Sequence, residues 1–157
     1  MQDIRNSRSE EMKRRMLLLH EKGLCLFCED GFHLMEKIKL FEGKGWYVTL
    51  NDEKYKGAVN HLMAVPTRHI KHPSDLTPDE RNELFDTVIP WLEKVYGMQG
   101  LSGVFRFGKT ERTGATIHHL HFHFIEGVDR VTQDQEPIFA VVGFKPATLQ
   151  STQKEPS

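Results

Sequence analysis

A row of three alternating histidines is the feature of this sequence best suited to chemistry. His119, His121 and His123 alternate with large apolar residues between Gly114 and Gly127. Because successive side chains of a β-strand point to opposite faces, a strand here would place three imidazoles on one face and the apolar groups on the other. Alternate residues lie about 6.6–7 Å apart along a strand, so the row would span about 13–14 Å. That is roughly the length of two neighbouring phosphates and the edge of a nucleoside.

Such a row is compatible with two kinds of chemistry. A His-x-His pair on a strand suits zinc, copper or iron. Alternatively, one imidazole attacks phosphorus or carbon while its neighbours orient it. A solvated polar face on an edge strand is the remaining interpretation, and three histidines opposite a continuous apolar face disfavour it. The row therefore predicts metal binding or nucleophilic catalysis.

The two cysteines, Cys25 and Cys28, form a second pattern with possible chemistry. A Cys-x2-Cys turn allows two thiolates to bind one metal ion, and zinc needs two further ligands. A redox Cys-x-x-Cys would normally follow a strand and open a helix, whereas this pair follows a predicted helix. Two unrelated buried cysteines are the other alternative. The candidate additional ligands are histidines, two nearby and three distant in sequence: His20, His33, His61, His69 and His119.

The composition limits the class of protein. The chain has 157 residues, of which 38% are apolar and ten are Phe, which is enough for one domain with a substantial core. A formal net charge of −1 lacks the basic excess that nucleic-acid-binding proteins usually carry. No apolar run approaches the length of a membrane span, and no apolar segment typical of a signal peptide follows the N-terminus. With only two cysteines, we expect a cytoplasmic protein.

Two helices must support these residues. Ser7 and Glu10 suggest a capping box for a helix over about 8–22, which ends at Gly23. The sequence Thr77-Pro-Asp-Glu80 predicts the start of a longer amphipathic helix. Pro90 lies inside this second helix and should kink it before its end at Gly97.

Short apolar runs predict the strands. They cover 35–42, 46–51, 62–65, 103–107 and 138–144, in addition to the histidine row. Residues 146–157 are polar and are expected to form a disordered tail. The predicted organisation is an N-terminal helix (1–23), one domain (24–145) and the tail (146–157).

These motifs together resemble those of the histidine-triad (HIT) superfamily. His119-Leu-His-Phe-His-Phe-Ile125 resembles its His-φ-His-φ-His-φ-φ motif, and Asn60–His69 is similar to its Gly-His-x-φ-φ-φ-Pro-x-x-His strand. Gly114-Ala-Thr116 matches its Gly-x-Ser/Thr, and the cysteine pair matches its zinc-bearing branch. The resemblance covers about residues 24–126. Two positions depart from it, since Arg106 lies near a usual Asn and Asn60 replaces a Gly.

The resemblance implies an α+β fold with a mostly antiparallel five- or six-stranded sheet, one long helix and, here, an additional N-terminal helix. It also implies a homodimer and a nucleotide substrate. The expected activity is that of a nucleotide hydrolase or nucleotidyl transferase acting on the α-phosphate of a dinucleoside polyphosphate or nucleoside phosphoramidate. In this family the middle imidazole, here His121, attacks phosphorus to form a covalent nucleotidyl-histidine.

The remaining site residues follow from this chemistry. His123 is expected to donate to a non-bridging oxygen as charge develops, and Thr116 with the backbone at Gly114 to hold phosphate. Asn51 is the counterpart of the family's ribose-binding carboxylate. Trp46 is interpreted either as part of a base sandwich, with Leu50, or as plain core. The cations beside the glycine turn form either a phosphate clamp or a solvated basic loop: Arg106, Lys109 and Arg112.

A structural zinc ion is the expected cofactor, with Cys25, Cys28, His69 and His119 as its ligands. If the His61–Pro66 strand runs antiparallel to the triad strand, its far end meets the beginning of the triad. His69 and His119 then lie close together, whereas His61 lies near the far end of the triad.

Two other classes of function remain open at this stage. In one, the chain is a non-catalytic nucleotide-binding or adaptor protein with a structural zinc. In the other, the triad itself binds a catalytic metal in a cupin-like barrel. The barrel is disfavoured because the sequence lacks many evenly spaced short strands.

Overall fold

A five-stranded antiparallel sheet forms the centre of the protein. The computed structural model describes residues 3–129 and 136–144. Within these residues the sheet has the order β1-β2-β3-β5-β4, and every neighbouring pair is antiparallel. The strands are β1 (Lys39–Glu42), β2 (Trp46–Leu50), β3 (Asn60–Pro66), β4 (Ser102–Phe105) and β5 (Phe122–Glu126). The predicted α+β class with a five-stranded antiparallel sheet is confirmed.

Helices cover both faces of this sheet. They are α1 (Glu10–Glu21), α2 (Glu29–Leu34), α3 (Pro78–Glu83), α4 (Ile89–Lys94) and the short α5 (Thr110–Thr113). Single 3₁₀ turns lie at Ile4–Asn6 and Pro73–Asp75. A π-helical segment, Leu84–Val88, joins α3 to α4, so the three pieces form one long helix. No helix in residues 3–129 or 136–144 has the length and apolarity needed to cross a lipid bilayer.

The long helix begins and bends where the sequence predicts. The Thr77 side chain accepts from the backbone of Glu80, and the Glu80 carboxylate accepts from the backbone N–H of Thr77, which completes a capping box. Pro90 has no N–H to donate and crowds the preceding turn. The helix accommodates it through the π segment, in which the Ile89 N–H bonds the Leu84 carbonyl five residues back.

Alternation along β3 and β5 separates the apolar core from the chemical groups. Leu62 and Phe124 face the long helix and join the core that contains Trp46. Met63 faces the other side and packs with residues of α1 and α2. The imidazoles of His121 and His123 belong to this second side, which the N-terminal helix partly covers. The alternation therefore decides that the candidate site lies beneath α1 and not beneath the long helix.

Several predicted boundaries differ from the structure. The first helix is capped by Ser9, whose side chain accepts from Met12, and not by Ser7. The strand predicted over 35–42 is shortened to Lys39–Glu42, because α2 extends to Leu34 and Glu36 adopts a positive φ of 52°. Residues 136–144 contain no strand, so the strand predicted at 138–144 was wrong. In this segment the Ile138 side chain instead lies close to Gly57 and Gly127. The predicted tail, 146–157, lies outside the described residues.

Candidate functional site

A cavity of about 230 Å³ lies between the sheet and the N-terminal helix. Its walls come from β3, β5, α1, the segment before α1 and the turn after α5. It brings together six of the residues predicted from the sequence to act on substrate: Asn51, Arg106, Gly114, Thr116, His121 and His123. Its apolar wall includes Met12, Phe27 and Met63. The cavity thus combines the two histidines with apolar side chains, of which Phe27 lies beside His121 and Met63 is the cross-strand partner of His123.

His121 is held in one tautomer. Its Nδ1 donates to the carbonyl oxygen of His119 at 2.7 Å, and because a carbonyl only accepts, the proton resides on Nδ1. The described residues place no hydrogen-bond partner on Nε2, which keeps its lone pair. Burial lowers the pKa of His121 to about 4. The side chain is therefore a neutral imidazole at pH 7, with one nitrogen available to the cavity.

His123 is joined to a second histidine that lies outside the triad. His123 Nδ1 lies 2.9 Å from His61 Nε2, and the Asn51 amide donates to the same His61 nitrogen at 3.0 Å. The Tyr55 backbone N–H also donates to His61 Nδ1 at 3.3 Å, so both nitrogens of His61 face hydrogen-bonding groups. Burial lowers the pKa of His61 to about 4 and that of His123 well below its ordinary value. His61 thus lies at the far end of the triad, as the antiparallel pairing predicted.

Arg106 occupies the other nitrogen of His123. Its Nη1 lies 3.3 Å from His123 Nε2, and its Nη2 donates to the Tyr55 hydroxyl at 2.6 Å and to the Val141 carbonyl. Since a guanidinium has only donors, His123 Nε2 must accept. His123 was expected to donate to a phosphate oxygen. In the structure this nitrogen of His123 contacts Arg106, and burial lowers the pKa of His123.

The glycine turn before the triad borders the cavity. Gly114 ends α5 in the left-handed conformation, with φ 70°, and its N–H bonds the Thr110 carbonyl. Thr116 is buried, and its hydroxyl donates to the Asn6 carbonyl at 3.2 Å. Both residues therefore line the cavity, and a phosphate contact to them stays a prediction.

Cys25, Cys28, His69 and His119 form a compact cluster at the opposite end of the triad. One ligand atom of each lies within 4.8 Å of the others. His119 Nε2 donates to the Pro66 carbonyl at 2.9 Å, which leaves Nδ1 directed at the two sulfurs, 3.6 Å and 3.8 Å away. His69 Nδ1 lies 3.2 Å from Cys28 Sγ.

The three sulfur-to-nitrogen distances, 3.2, 3.6 and 3.8 Å, fit a tetrahedral zinc site. Zn–S bonds of about 2.3 Å and Zn–N bonds of about 2.0–2.1 Å give ligand-to-ligand separations of about 3.3–3.8 Å in a tetrahedron. Burial and the neighbouring Cys25 raise the pKa of the Cys28 thiol to about 11. A divalent cation among these groups would favour the thiolate. The donor set and its spacing are therefore compatible with zinc.

The triad does not form one row on one strand. Strand β5 begins at Phe122, so His119 precedes it and its ring lies 4.7 Å from that of His69. His121 and His123 remain neighbours, with ring centroids 4.9 Å apart. The three histidines are thereby divided between the cysteine cluster and the cavity.

Four predicted substrate contacts lie elsewhere. Trp46 is fully buried on the side of the long helix, and its indole N–H donates to the Glu80 carbonyl. Leu50 is half exposed at the end of β2 and does not line the cavity. Lys109 precedes α5 and Arg112 lies on it. Both side chains are exposed, and neither lines the cavity.

Other cavity residues were missed by sequence reasoning. Tyr55 stacks near His61, with centroids 4.8 Å apart, and Asp52 binds both Arg15 and Lys37 at 3.0 Å. Ser7 and Arg8 enter from the segment before α1. Ser7 was assigned to a helix cap, and the other residues belong to no motif. Only the packing of a polar loop and of the N-terminal segment over β3 and β5 brings them to the histidines.

Comparison with known proteins agrees with this geometry. A model of the family described as scavenger mRNA decapping enzyme C-term binding matches residues 25–135. Among solved structures, the fold resembles a HIT family hydrolase from Clostridium thermocellum, with a TM-score of 0.55 and 20% identity over 74% of this chain and 96% of that one.

Two further structures are similar. A histidine triad protein from Clostridium difficile has a TM-score of 0.53 and 21% identity, over 74% of this chain and 96% of that one. A Zn-bound histidine triad family protein from Mycobacterium smegmatis has a TM-score of 0.51 and 17% identity, over 67% of this chain and 76% of that one. No curated protein matches the sequence. With its motifs, its fold and most of its length accounted for in this way, the chain belongs to the scavenger mRNA decapping enzyme C-term binding family of the histidine-triad superfamily.

Proposed function

We propose that this protein is a nucleotide hydrolase or nucleotidyl transferase that acts on the α-phosphate of a nucleotide ester or anhydride through a covalent intermediate on His121. The observation that carries the proposal is the fixed, neutral state of His121. Its Nδ1 is committed to the His119 carbonyl, and its Nε2 is available in the cavity. Neutral imidazole is a good nucleophile near pH 7, and a lowered pKa maintains that form.

The apolar and polar residues that line the cavity suggest how a nucleotide binds. The apolar wall beneath α1, with Phe27 and Met63, suits a nucleobase, and the Phe27 ring lies 5.0 Å from that of His121. Asn51 lines the same cavity next to His61 and would contact the ribose. The phosphates then lie against His121, Arg106 and the turn containing Gly114 and Thr116.

The reaction proceeds in two displacements. The Nε2 lone pair of His121 forms a bond to the α-phosphorus, and the bond from phosphorus to the leaving oxygen breaks. The leaving group departs with that electron pair. Water or another acceptor then attacks phosphorus, the N–P bond breaks, and His121 regains its lone pair. Arg106, oriented by His123, donates to the non-bridging oxygens as their charge develops.

We further propose that the cysteine cluster holds a structural zinc ion through Cys25, Cys28, His69 and His119. Four protein ligands leave no open coordination position, so the ion would support the fold and not take part in the reaction. It would fix His119, whose carbonyl in turn orients His121. A similar fold carries zinc in the Mycobacterium smegmatis protein.

The family and its neighbours support a substrate of this class. One neighbour is described as a hydrolase, and the family description refers to mRNA decapping. An mRNA cap contains nucleosides joined through a polyphosphate, which is one of the substrate types expected from the sequence. We therefore propose a dinucleoside polyphosphate or nucleoside phosphoramidate as the substrate, and no role in binding long nucleic acids.

We also propose that the protein is a cytoplasmic homodimer. Strand β4 is at an edge of the sheet, and its Phe105 is 43% exposed and stacks with Phe107, which is 44% exposed. Val95, at the end of α4, is 70% exposed. An edge strand beside exposed apolar side chains can pair with a second copy. Sedimentation equilibrium measures this association directly.

Replacement of the nucleophile tests the proposed reaction. His121→Ala should lower turnover of a dinucleoside polyphosphate by about 10⁴-fold or more, because the covalent route loses its first step. A wild-type reaction quenched without acid should yield a nucleotide adduct on the peptide that contains His121. His118→Ala is the matched control, since His118 bonds Thr110 outside the main cavity and should retain activity.

Two results would reject the mechanism. One is a His121→Ala protein that turns over near the wild-type rate, and the other is an adduct on another residue. Tight nucleotide binding by the wild-type protein without turnover of dinucleoside polyphosphates, phosphoramidates or nucleotide sugars would instead indicate an adaptor protein.

A further inference from the structure

The segment before α1 forms part of the cavity wall although it precedes the residues matched by the family model, 25–135. Backbone and side-chain hydrogen bonds attach it to the glycine turn. The Asp3 N–H donates to the Thr116 carbonyl at 2.7 Å, and the Asn6 amide donates to the Ala115 carbonyl at 2.8 Å. These bonds hold Ser7 and Arg8 at the cavity.

Most cations that line the cavity are neutralised by neighbouring carboxylates. Arg5 pairs with Asp3 at 2.9 Å, and Arg15 and Lys37 both pair with Asp52 at 3.0 Å. Two guanidinium groups differ. Among residues 3–129 and 136–144, Arg8 and Arg106 have no carboxylate within ion-pairing distance, and both donate to uncharged oxygens instead.

Two buried polar atoms of the same cavity lack partners. Ser7 Oγ and Arg106 Nε are the buried side-chain N or O atoms without a hydrogen bond in the described part of the chain. Buried polar groups are nearly always satisfied, because an unmade hydrogen bond costs about 1–3 kcal/mol. Both atoms can donate, so phosphate oxygens in the cavity would be suitable acceptors for them.

Tyr55 contacts both unpaired cations. The Arg8 guanidinium lies over the Tyr55 ring, 4.8 Å from its centroid, and the Tyr55 hydroxyl accepts from Arg106 at 2.6 Å. Like charges near each other repel unless an anion lies between them. Arg106 also contacts His123, so the pair of cations extends from the reacting histidines toward the N-terminal segment.

We propose that Ser7, Arg8 and Arg106 form an anion subsite for the phosphates beyond the reacting one. As a subsite for substrate, it rests on the proposed function, because the α-phosphate must lie at His121. The chain of phosphates then runs from His121 past Arg106 to Arg8. A substrate with several phosphates fills this subsite, whereas a nucleoside phosphoramidate leaves Arg8 and Ser7 without a ligand. The N-terminal segment thus selects nucleoside polyphosphates.

Binding of inorganic tripolyphosphate tests the subsite without any reaction. Isothermal titration calorimetry of the full-length protein should show binding that Arg8→Ala weakens by about 10-fold or more, the loss expected for a contact of about 1.4 kcal/mol. Arg14→Ala removes the same charge from nearby α1, away from the cavity, and should bind as the wild type does. Equal affinity in wild type and Arg8→Ala, or equal losses in Arg8→Ala and Arg14→Ala, would overturn the proposal.

Two smaller replacements test the subsite even if Arg8→Ala does not fold. Ser7→Ala and Arg8→Lys change few atoms, and both should weaken tripolyphosphate binding while the thermal unfolding midpoint stays near that of the wild type. Unchanged binding in both would contradict the subsite even if Arg8→Ala failed to fold.

Kinetics separate the subsite from the proposed reaction. Arg8→Ala should raise KM for a dinucleoside polyphosphate and leave kcat/KM for a nucleoside phosphoramidate within about twofold. If the wild-type protein turns over neither substrate but binds tripolyphosphate through Arg8, the reaction is wrong and the subsite stands. If both substrates lose equally in Arg8→Ala, the reaction stands and the subsite is wrong.

Discussion

Arg106 has the most direct influence on the reacting groups among the cations of the cavity. It lies near a position where the histidine-triad motif usually has Asn, a side chain that can both donate and accept. A guanidinium only donates, so it makes His123 Nε2 an acceptor, while His123 Nδ1 lies against His61. One residue type therefore decides which nitrogen of buried His123 accepts.

Replacing Arg106 and Arg112 should separate a cavity contact from an exposed loop cation. Arg106→Ala should lower kcat/KM for a dinucleoside polyphosphate by about 10- to 100-fold, since a hydrogen bond to a charged group contributes about 1.5–3 kcal/mol. Arg112→Ala should stay within about twofold, because Arg112 is exposed and does not line the cavity. Steady-state kinetics of both variants give the comparison. Similar losses would indicate that α5 moves onto the substrate.

At the scale of elements, the cysteine cluster joins segments that are far apart in sequence. Cys25 and Cys28 lie between α1 and α2, His69 follows β3, and His119 precedes β5. A zinc ion shared by these residues would fasten the N-terminal helices to the beginning of the triad. Closed sites of this kind contribute directly to folding.

Removing one thiol should therefore release the metal and destabilise the fold. Cys28→Ser should reduce zinc in the purified protein well below one ion per chain and lower the unfolding temperature by roughly 10 °C or more. His33→Ala is a suitable control, because His33 lies on the exposed side of α2 next to Glu29 and outside the cluster. Metal analysis and thermal unfolding measure both effects. Stoichiometric zinc in Cys28→Ser would show that the ion binds elsewhere.

At the scale of the whole molecule, buried histidines make stability depend on pH. The pKa of His61 is lowered to about 4, chiefly by burial, and that of His123 lies well below its ordinary value for the same reason. In the unfolded chain both titrate near about 6.5. Between these values the unfolded state binds more protons than the folded state, so stability falls as pH decreases from about 6.5 to about 4.

Urea unfolding at a series of pH values should reveal this loss. The wild-type free energy of unfolding should fall by several kcal/mol, on the order of 1.4 kcal/mol per unit of lowered pKa for each histidine. His61→Gln removes one titrating group, so its stability should decline less over the same range. Parallel curves for the two proteins would show that His61 does not remain neutral in the fold. Arg68 lowers the pKa of Glu80 from 4.5 to about 2, so the stability that this pair contributes is lost as the pH falls through that range.

The sequence by itself determined those features of the fold and the site that depend on local residue patterns. Period-two alternation and the Thr77 capping box predicted the side-chain faces of the sheet and the start of the long helix. The antiparallel pairing of two motifs was enough to bring His69 to His119 and His61 to the far end of the triad. These relations follow from backbone geometry, which short-range sequence encodes.

Only the tertiary structure decided which residues surround the reacting histidines. Trp46 lies on the core side because strand alternation places it opposite the cavity, while Tyr55, Ser7 and Arg8 reach the site from loops that have no periodic pattern. The proton on His123 likewise depends on Arg106 and His61, which lie in different segments. Long-range packing determines such contacts, because loop positions depend on the whole set of neighbours and not on local residue spacing.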